Sequence, residues 1–236
     1  MRVRSTPLAL AAAFLLAACS GTATVPIGDG SGGSGTNGTV LLLNALGTGS
    51  SASLRVDGAT TTLPAAGTAR ALTLSQGTHQ LEATGSGGQT LASATVSVAA
   101  DVHRSVVLSG SAGNVSLLVS AIDTAQVPLS DAIKARLVHT VQNAPAMDAY
   151  LFLTSQAADS GARVLTNFTY GVGTDPEFPG YVVRPPGEYL VWLKAAGTDN
   201  VLLQAGPVTL TAGHVYSFVL ALNDAGEMEL RTVVEQ

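Results

Sequence analysis

The chain has 236 residues, with 11 basic and 16 acidic side chains and a formal net charge of −5. That balance argues against a nucleic-acid-binding or polybasic membrane-binding surface, and a single cysteine leaves no disulfide and no thiolate metal site. Charged residues are only 11% of the total, far below the usual quarter, so the composition suits strands with Thr- and Ser-bearing faces better than amphipathic helices.

At the N-terminus, Arg2 and Arg4 precede an apolar run from Pro7 to Ala18, the pattern of a secretory signal. The run is shorter than the roughly 20 residues that span a bilayer. It ends in Leu16-Ala17-Ala18-Cys19, which resembles the lipobox of bacterial lipoproteins. That resemblance implies cleavage before Cys19, lipid on its thiol and acylation of the new N-terminus. Several acyl chains, at about 0.8 kcal/mol per buried methylene, make a firm anchor. Ser20 follows the cysteine where Asp would signal inner-membrane retention, so the resemblance implies the outer membrane. Residues 19–38 contain Gly28-Asp29-Gly30-Ser31-Gly32-Gly33-Ser34-Gly35, a flexible tether about 25 Å end to end. No Lys-Ser/Thr ending follows its glycines, so it is no phosphate loop.

Beyond the tether one pattern occurs twice. Apolar runs open each copy (Val40 to Leu46; Ala135 to Val141), and a second strand follows (Ser53 to Asp57; Met147 to Leu153). Gly77-Thr78-His79-Gln80-Leu81-Glu82-Ala83 matches Gly187-Glu188-Tyr189-Leu190-Val191-Trp192-Leu193. Val96-Ser97-Val98-Ala99-Ala100 matches Val208-Thr209-Leu210-Thr211-Ala212, and Ser105-Val106-Val107-Leu108 matches Ser217-Phe218-Val219-Leu220. Val115 to Ile122 and Glu227 to Val234 close the copies. Short alternating runs separated by Gly, Pro, Asn and Asp predict two tandem antiparallel β-sandwiches of Ig-like type. They cover residues 39–122 and 135–236, joined by a hinge at 123–134, and units this small are expected to pack together.

Arg136-Leu137-Val138-His139, followed by Asn143-Ala144-Pro145-Ala146-Met147-Asp148-Ala149-Tyr150, resembles the bacterial domain of unknown function 4397. Pro186-Gly187-Glu188-Tyr189 and Ala212-Gly213-His214-Val215-Tyr216 resemble its later strand openings. The first copy keeps less, Asn44-Ala45 and Leu54-Arg55-Val56-Asp57-Gly58, so the likeness is strong in the second copy and weak in the first. Thr140-Val141-Gln142-Asn143 departs from the small-Ser-Pro-Asp turn of the family. The resemblance implies a fold and an exported context, and no activity.

His139 and Asp148, on consecutive strands, are expected to pair across the turn at Pro145 and pin it. Chemically the same two groups could be a base with its orienter, or half of a metal site, but no nucleophile or third ligand accompanies them. His79, His103 and His214 read as isolated surface or strand-end residues. Asp175 with Glu177, and Glu227 with Glu229, read as solvated loop and edge charges. Apart from the signal, every aromatic lies in the second copy. There Trp192 stands where the first copy has Glu82, and an extra stretch near Ser160 to Gly180 brings Phe168, Tyr170 and Phe178. Three arrangements follow: the loop covers the Trp192 face, the first copy covers it, or it is an open platform for a sugar ring or a protein partner. In the last, Trp192, Tyr170 and Phe178 supply apolar faces while Asp175 and Asn167 supply hydrogen bonds.

The sequence therefore predicts a non-enzymatic outer-membrane lipoprotein, a structural or binding module held by lipid on Cys19. It needs no cofactor or metal, and its partner is an envelope glycan or protein. The alternative is a carbohydrate-active or hydrolytic envelope enzyme using Asp148 and His139 or the loop carboxylates.

Overall fold

The computed structural model describes residues 37–47, 50–99, 104–111, 114–121, 130–156, 163–171 and 181–235. The signal with Cys19, nearly all of the tether, most of the 123–134 hinge, His103, and the candidates Asp175 and Phe178 lie outside them. The protein is all-β, with no helix among the described residues. The first half contributes β1 (Asn37–Leu46), β2 (Ser53–Val56), β3 (Ala59–Thr61), β4 (Thr68–Ser75), β5 (Gly77–Thr84), β6 (Thr90–Val98), β7 (Arg104–Gly110) and β8 (Ser116–Ala121). The second contributes β9 (Ile133–His139), β10 (Met147–Leu153), β11 (Arg163–Phe168), β12 (Val182–Arg184), β13 (Gly187–Ala195), β14 (Val201–Leu210), β15 (Val215–Leu222) and β16 (Met228–Val234). Asp57 and Gly58 link β2 to β3 with φ of 51° and 81°, the pair of positive angles that a tight two-residue hairpin needs.

The strands form three sheets. One four-stranded sheet runs β3-β2-β5-β6 and another runs β11-β10-β13-β14. The third has eight strands in the order β12-β9-β15-β16-β4-β1-β7-β8. Each half thus repeats the same pairings: β4-β1-β7-β8 in the first, β12-β9-β15-β16 in the second. Two expectations are corrected here. The large sheet is mixed, because β1 pairs with β7, and β9 with β15, in parallel. A parallel pair needs a long crossover, and here the chain leaves for the other layer and returns before the pairing is made. Nor are the halves two separate sandwiches, since β16 and β4 join into one sheet through Val234 opposite Thr68.

Each four-stranded sheet covers its own half of the large sheet. Val40, Leu42, Leu54, Leu81, Val96, Val106 and Leu108 make the first core; Leu137, Met147, Leu151, Phe168, Tyr189, Val191 and Phe218 belong to the second. The large sheet folds back at its β16–β4 joint, because β15 contacts β7 although they stand four places apart in the strand order. Its two outer faces then meet in a third core, with Leu43, Ala45, Val107 and Leu118 against Val138, Val219 and Val233. Strands buried on both faces lose the alternation of a half-exposed strand, which explains the unbroken apolar runs of β1, β7 and β15.

Polar bonds cross the same seam. Arg136 on β9 is fully buried; its Nε donates to Ser217 (2.7 Å) and to Glu235 Oε1 (2.9 Å). Its Nη1 and Nη2 reach Ser120 (3.2 Å) and Ser105 (3.1 Å) of the first half. Tyr181 lies against the guanidinium at 5.0 Å and donates its hydroxyl to Glu235 Oε2 (2.6 Å), and Ser217 also donates to Glu235. In the first half the equivalent of Arg136 is Leu41, which registers with Ser105 as Arg136 does with Ser217. Elsewhere along the seam Arg231 donates to the carbonyls of Ala45 (2.6 Å) and Gly110 (2.9 Å), and Ser109 to Thr140 (2.7 Å).

Candidate binding face

Alternation on β10 and β13 sends Met147, Ala149, Leu151, Tyr189, Val191 and Leu193 inward. The intervening residues Tyr150, Phe152, Leu190, Trp192 and Lys194 are left on the outer face. Tyr150 stands opposite Trp192, and Phe152 opposite Leu190. In the first half the same register places Arg55 opposite Glu82. A register position held by opposite charges has therefore become an aromatic one, with two large apolar surfaces on a face that is polar in the first half.

Phe152 meets Trp192 edge to face, with ring centroids 5.3 Å apart and an interplanar angle of 84°. The Lys194 ammonium sits 5.0 Å from the Tyr150 centroid and 6.0 Å from that of Trp192, while bonding Asp199 Oδ1 at 3.0 Å. Both aromatic contacts are within cation–π range. Phe152 is buried, whereas Tyr150, Leu190 and Trp192 are half-buried. The Trp192 indole N–H is buried and has no hydrogen-bond partner. Among the described residues, the core between the halves includes no residue of β10 or β13.

The remaining described candidates, Tyr170 and Asn167, lie around β11. Tyr170 is 39% exposed, and its hydroxyl accepts from Gln142 (3.4 Å) in the loop after β9. Asn167 adopts a φ of 53° and donates its backbone N–H to Asp148 Oδ1 (3.0 Å). The left-handed turn at Asn167 and the irregular register of β11 on β10 direct Phe168 into the second core, where it is fully buried.

The expected His139–Asp148 pair does not form. Their strands lie in different sheets: His139 closes an inward-facing row on β9, while Asp148 is on the outer side of β10. Asp148 collects N–H groups from Asn167 (3.0 Å) and Gly197 (3.2 Å) and pairs with Arg163 (3.2 Å), and these donors, the backbone ones first, lower its pKa. His139 accepts at Nδ1 from the Val141 N–H (3.3 Å) and packs on Phe168 at 4.9 Å. Its Nε2 is buried without a partner, and burial pushes its pKa down to about 4. It is a neutral core histidine. The equivalent residue, Asn44, makes the same bond to the Leu46 N–H at 3.1 Å.

His79 is also no isolated surface residue. It is buried, with Nδ1 2.6 Å from Asp57 Oδ2 and Nε2 2.8 Å from the Ser75 carbonyl. Both neighbours are acceptors, so satisfying them takes an imidazolium, and the bond to Asp57 raises the pKa. Tyr189 does the same work in the second half, its hydroxyl donating to the Pro185 carbonyl at 2.7 Å. His214 bonds Thr211 and Ala212 locally. Glu229 pairs with Arg231 and Glu227 accepts from Asn223, so these carboxylates are engaged separately. Among the described residues no group of three or more His, Cys, Asp or Glu is placed to hold a metal ion.

The model of the family described as domain of unknown function DUF4397 matches residues 38–150. A DUF4397 domain is present over that span. The match runs from β1 through β8 into β9 and β10, so it takes in the whole first half together with the Arg136 to Tyr150 motif. The DUF4397 match thus departs from the sequence expectation of a strong likeness in the second copy and a weak one in the first. It does not extend to the second-half motifs at Pro186 to Tyr189 and Ala212 to Tyr216. Comparison with curated proteins returns no match.

Proposed function

We propose that this protein is a non-enzymatic module of the bacterial cell envelope, held in the outer membrane by lipid on Cys19. In this reading it presents the outer face of β10 and β13 to an envelope glycan or protein, and its two halves are tandem sandwich repeats built on one shared sheet. The observation that carries it is the exchange, at one register position, of the Arg55–Glu82 pair for Tyr150–Trp192. Aromatic faces beside a lysine suit stacking on a sugar ring or a partner side chain, with Lys194 and Gln204 flanking Trp192 to supply polar contacts. The sequence Leu16-Ala17-Ala18-Cys19 and the Gly/Ser tether support display at a membrane surface.

Metabolic labelling with palmitate, comparing the wild type with Cys19→Ser, tests the anchor; an unlabelled wild type refutes it. Glycan-array and envelope pull-down measurements with Trp192→Ala test the face. Binding should fall at least tenfold with urea stability within about 2 kcal/mol of the wild type, since Trp192 is only half-buried. Collapse of the fold on this substitution shows that Trp192 is a structural residue instead.

A further inference from the structure

Arg104, the first residue of β7, is 4% exposed, yet among the described residues its Nε has no hydrogen-bond partner and no carboxylate pairs with it. Burial lowers the pKa of its guanidinium. Arg136, the other deeply buried arginine, is by contrast held by Glu235, three serines and Tyr181. A buried, uncompensated cation is costly to keep in a fold.

The second half shows what the position looks like when it is purely structural. Arg104 registers with Val40 as Tyr216 registers with Ala135, so Tyr216 is its equivalent. Tyr216 is satisfied: its hydroxyl accepts from the Thr211 N–H (3.0 Å) and bonds the Thr211 hydroxyl (3.1 Å). Val98 registers with Gly77 as Leu210 does with Gly187, which makes Ala99 the equivalent of Thr211. In the first half, then, a cation replaces the tyrosine and an alanine replaces its polar partner. Both changes leave Arg104 Nε without a hydrogen-bond partner among the described residues.

The position lies where β1 begins. A Cβ on Gly38 would come within 2.5 Å of Val98 and 2.7 Å of the Ala99 carbonyl, so the start of β1 abuts the end of β6. From the structure we infer that Arg104 is an anion site at this end of the first sandwich, taking an oxyanion of the phosphate class. A guanidinium presents a planar fork of donors matched to such an oxyanion. The choice of phosphate rests on the lipid-anchored reading, in which the tether delivers β1 from the membrane and this end faces phosphate headgroups.

The test uses the full chain with Arg104→Tyr, which copies the second half, and Arg104→Met. Inorganic phosphate at several times its dissociation constant should raise the wild-type thermal midpoint by about 2–4 °C over chloride at equal ionic strength. Neither variant should respond. Phosphatidylglycerol vesicles, but not phosphatidylcholine vesicles, should co-sediment the unlipidated Cys19→Ser chain and lose it on Arg104→Tyr if the phosphate is a headgroup. A midpoint shift without vesicle binding assigns the site to a soluble phosphate and leaves it standing, whatever palmitate labelling shows. No shift in the wild type, or an equal shift in a folded Arg104 variant, overturns the site.

Discussion

Replacing Arg136 with leucine, the residue that the first half carries at the equivalent place, isolates what the buried ionic cluster contributes. The Glu235 side chain is 3% exposed and would keep Ser217 and Tyr181 while losing the one cation paired with it among the described residues. Removing one member of a buried pair costs about 3–5 kcal/mol, against a total stability of roughly 5–15 kcal/mol for a typical domain. For a chain of this length that is a fall in thermal midpoint of about 6–20 °C. The double substitution Arg136→Leu/Glu235→Leu should recover most of the loss, because replacing both ions by apolar groups is often neutral or stabilising. Urea unfolding of wild type, both single variants and the double variant closes the cycle. A single-variant loss below about 1 kcal/mol, or a double variant no better than Arg136→Leu, would refute this account of the cluster.

His139 binds no proton in the folded state until about pH 4, whereas the unfolded chain binds one below about 6.5. Stability should therefore fall by about 3 kcal/mol as pH drops across that window and level off below it. Urea midpoints measured from pH 7 to 4 should lose this component in His139→Asn, since Asn44 already fills the matching position; an unchanged slope would contradict a buried neutral ring. His79 has the opposite sign. Its folded pKa is raised above 6.5 by Asp57, so its contribution is fully present below 6.5 and is lost as pH rises through the folded value. An NMR titration of Asp57→Asn should show the His79 pKa moving down toward 6.5, and no movement would remove Asp57 as the cause.

Much of the fold was legible because strand alternation and turn chemistry are local. The repeat was visible in matched glycines and valines, and Asp57-Gly58 declared its hairpin. β3, β4, β11 and β12 went unread: β3 and β12 are only three residues long, and β4 and β11 carry mixed apolar and polar residues with weak alternation. The shared sheet was invisible because it hangs on one residue pair, Val234 with Thr68. At the candidate face, Trp192 could be found by comparing the copies, since its partner position holds Glu82. Loop geometry, and not strand register, sets where Tyr170 and Asn167 go, so the sequence pattern could not position them. Arg136 was quoted only as part of a motif. Its tell-tale was a charge at a position where the first copy has Leu41, the same signal that marks Arg104 against Tyr216.

The bond from Arg136 to Glu235 spans 99 residues of chain. As the polypeptide is made from its N-terminus, β1 to β8 can close their own core while Arg136 still waits for its carboxylate. Ser105 and Ser120 can meet the guanidinium during this interval, but they cannot neutralise it. Contacts at such long separation form slowly, so the third core is a late event, sealed only when β16 reaches Thr68. Until then the outer faces of β1, β7 and β8 leave Leu43, Val107 and Leu118 open to other partners. The quality-control demand on this protein therefore falls on its first half, in the time between its own closure and the arrival of the second.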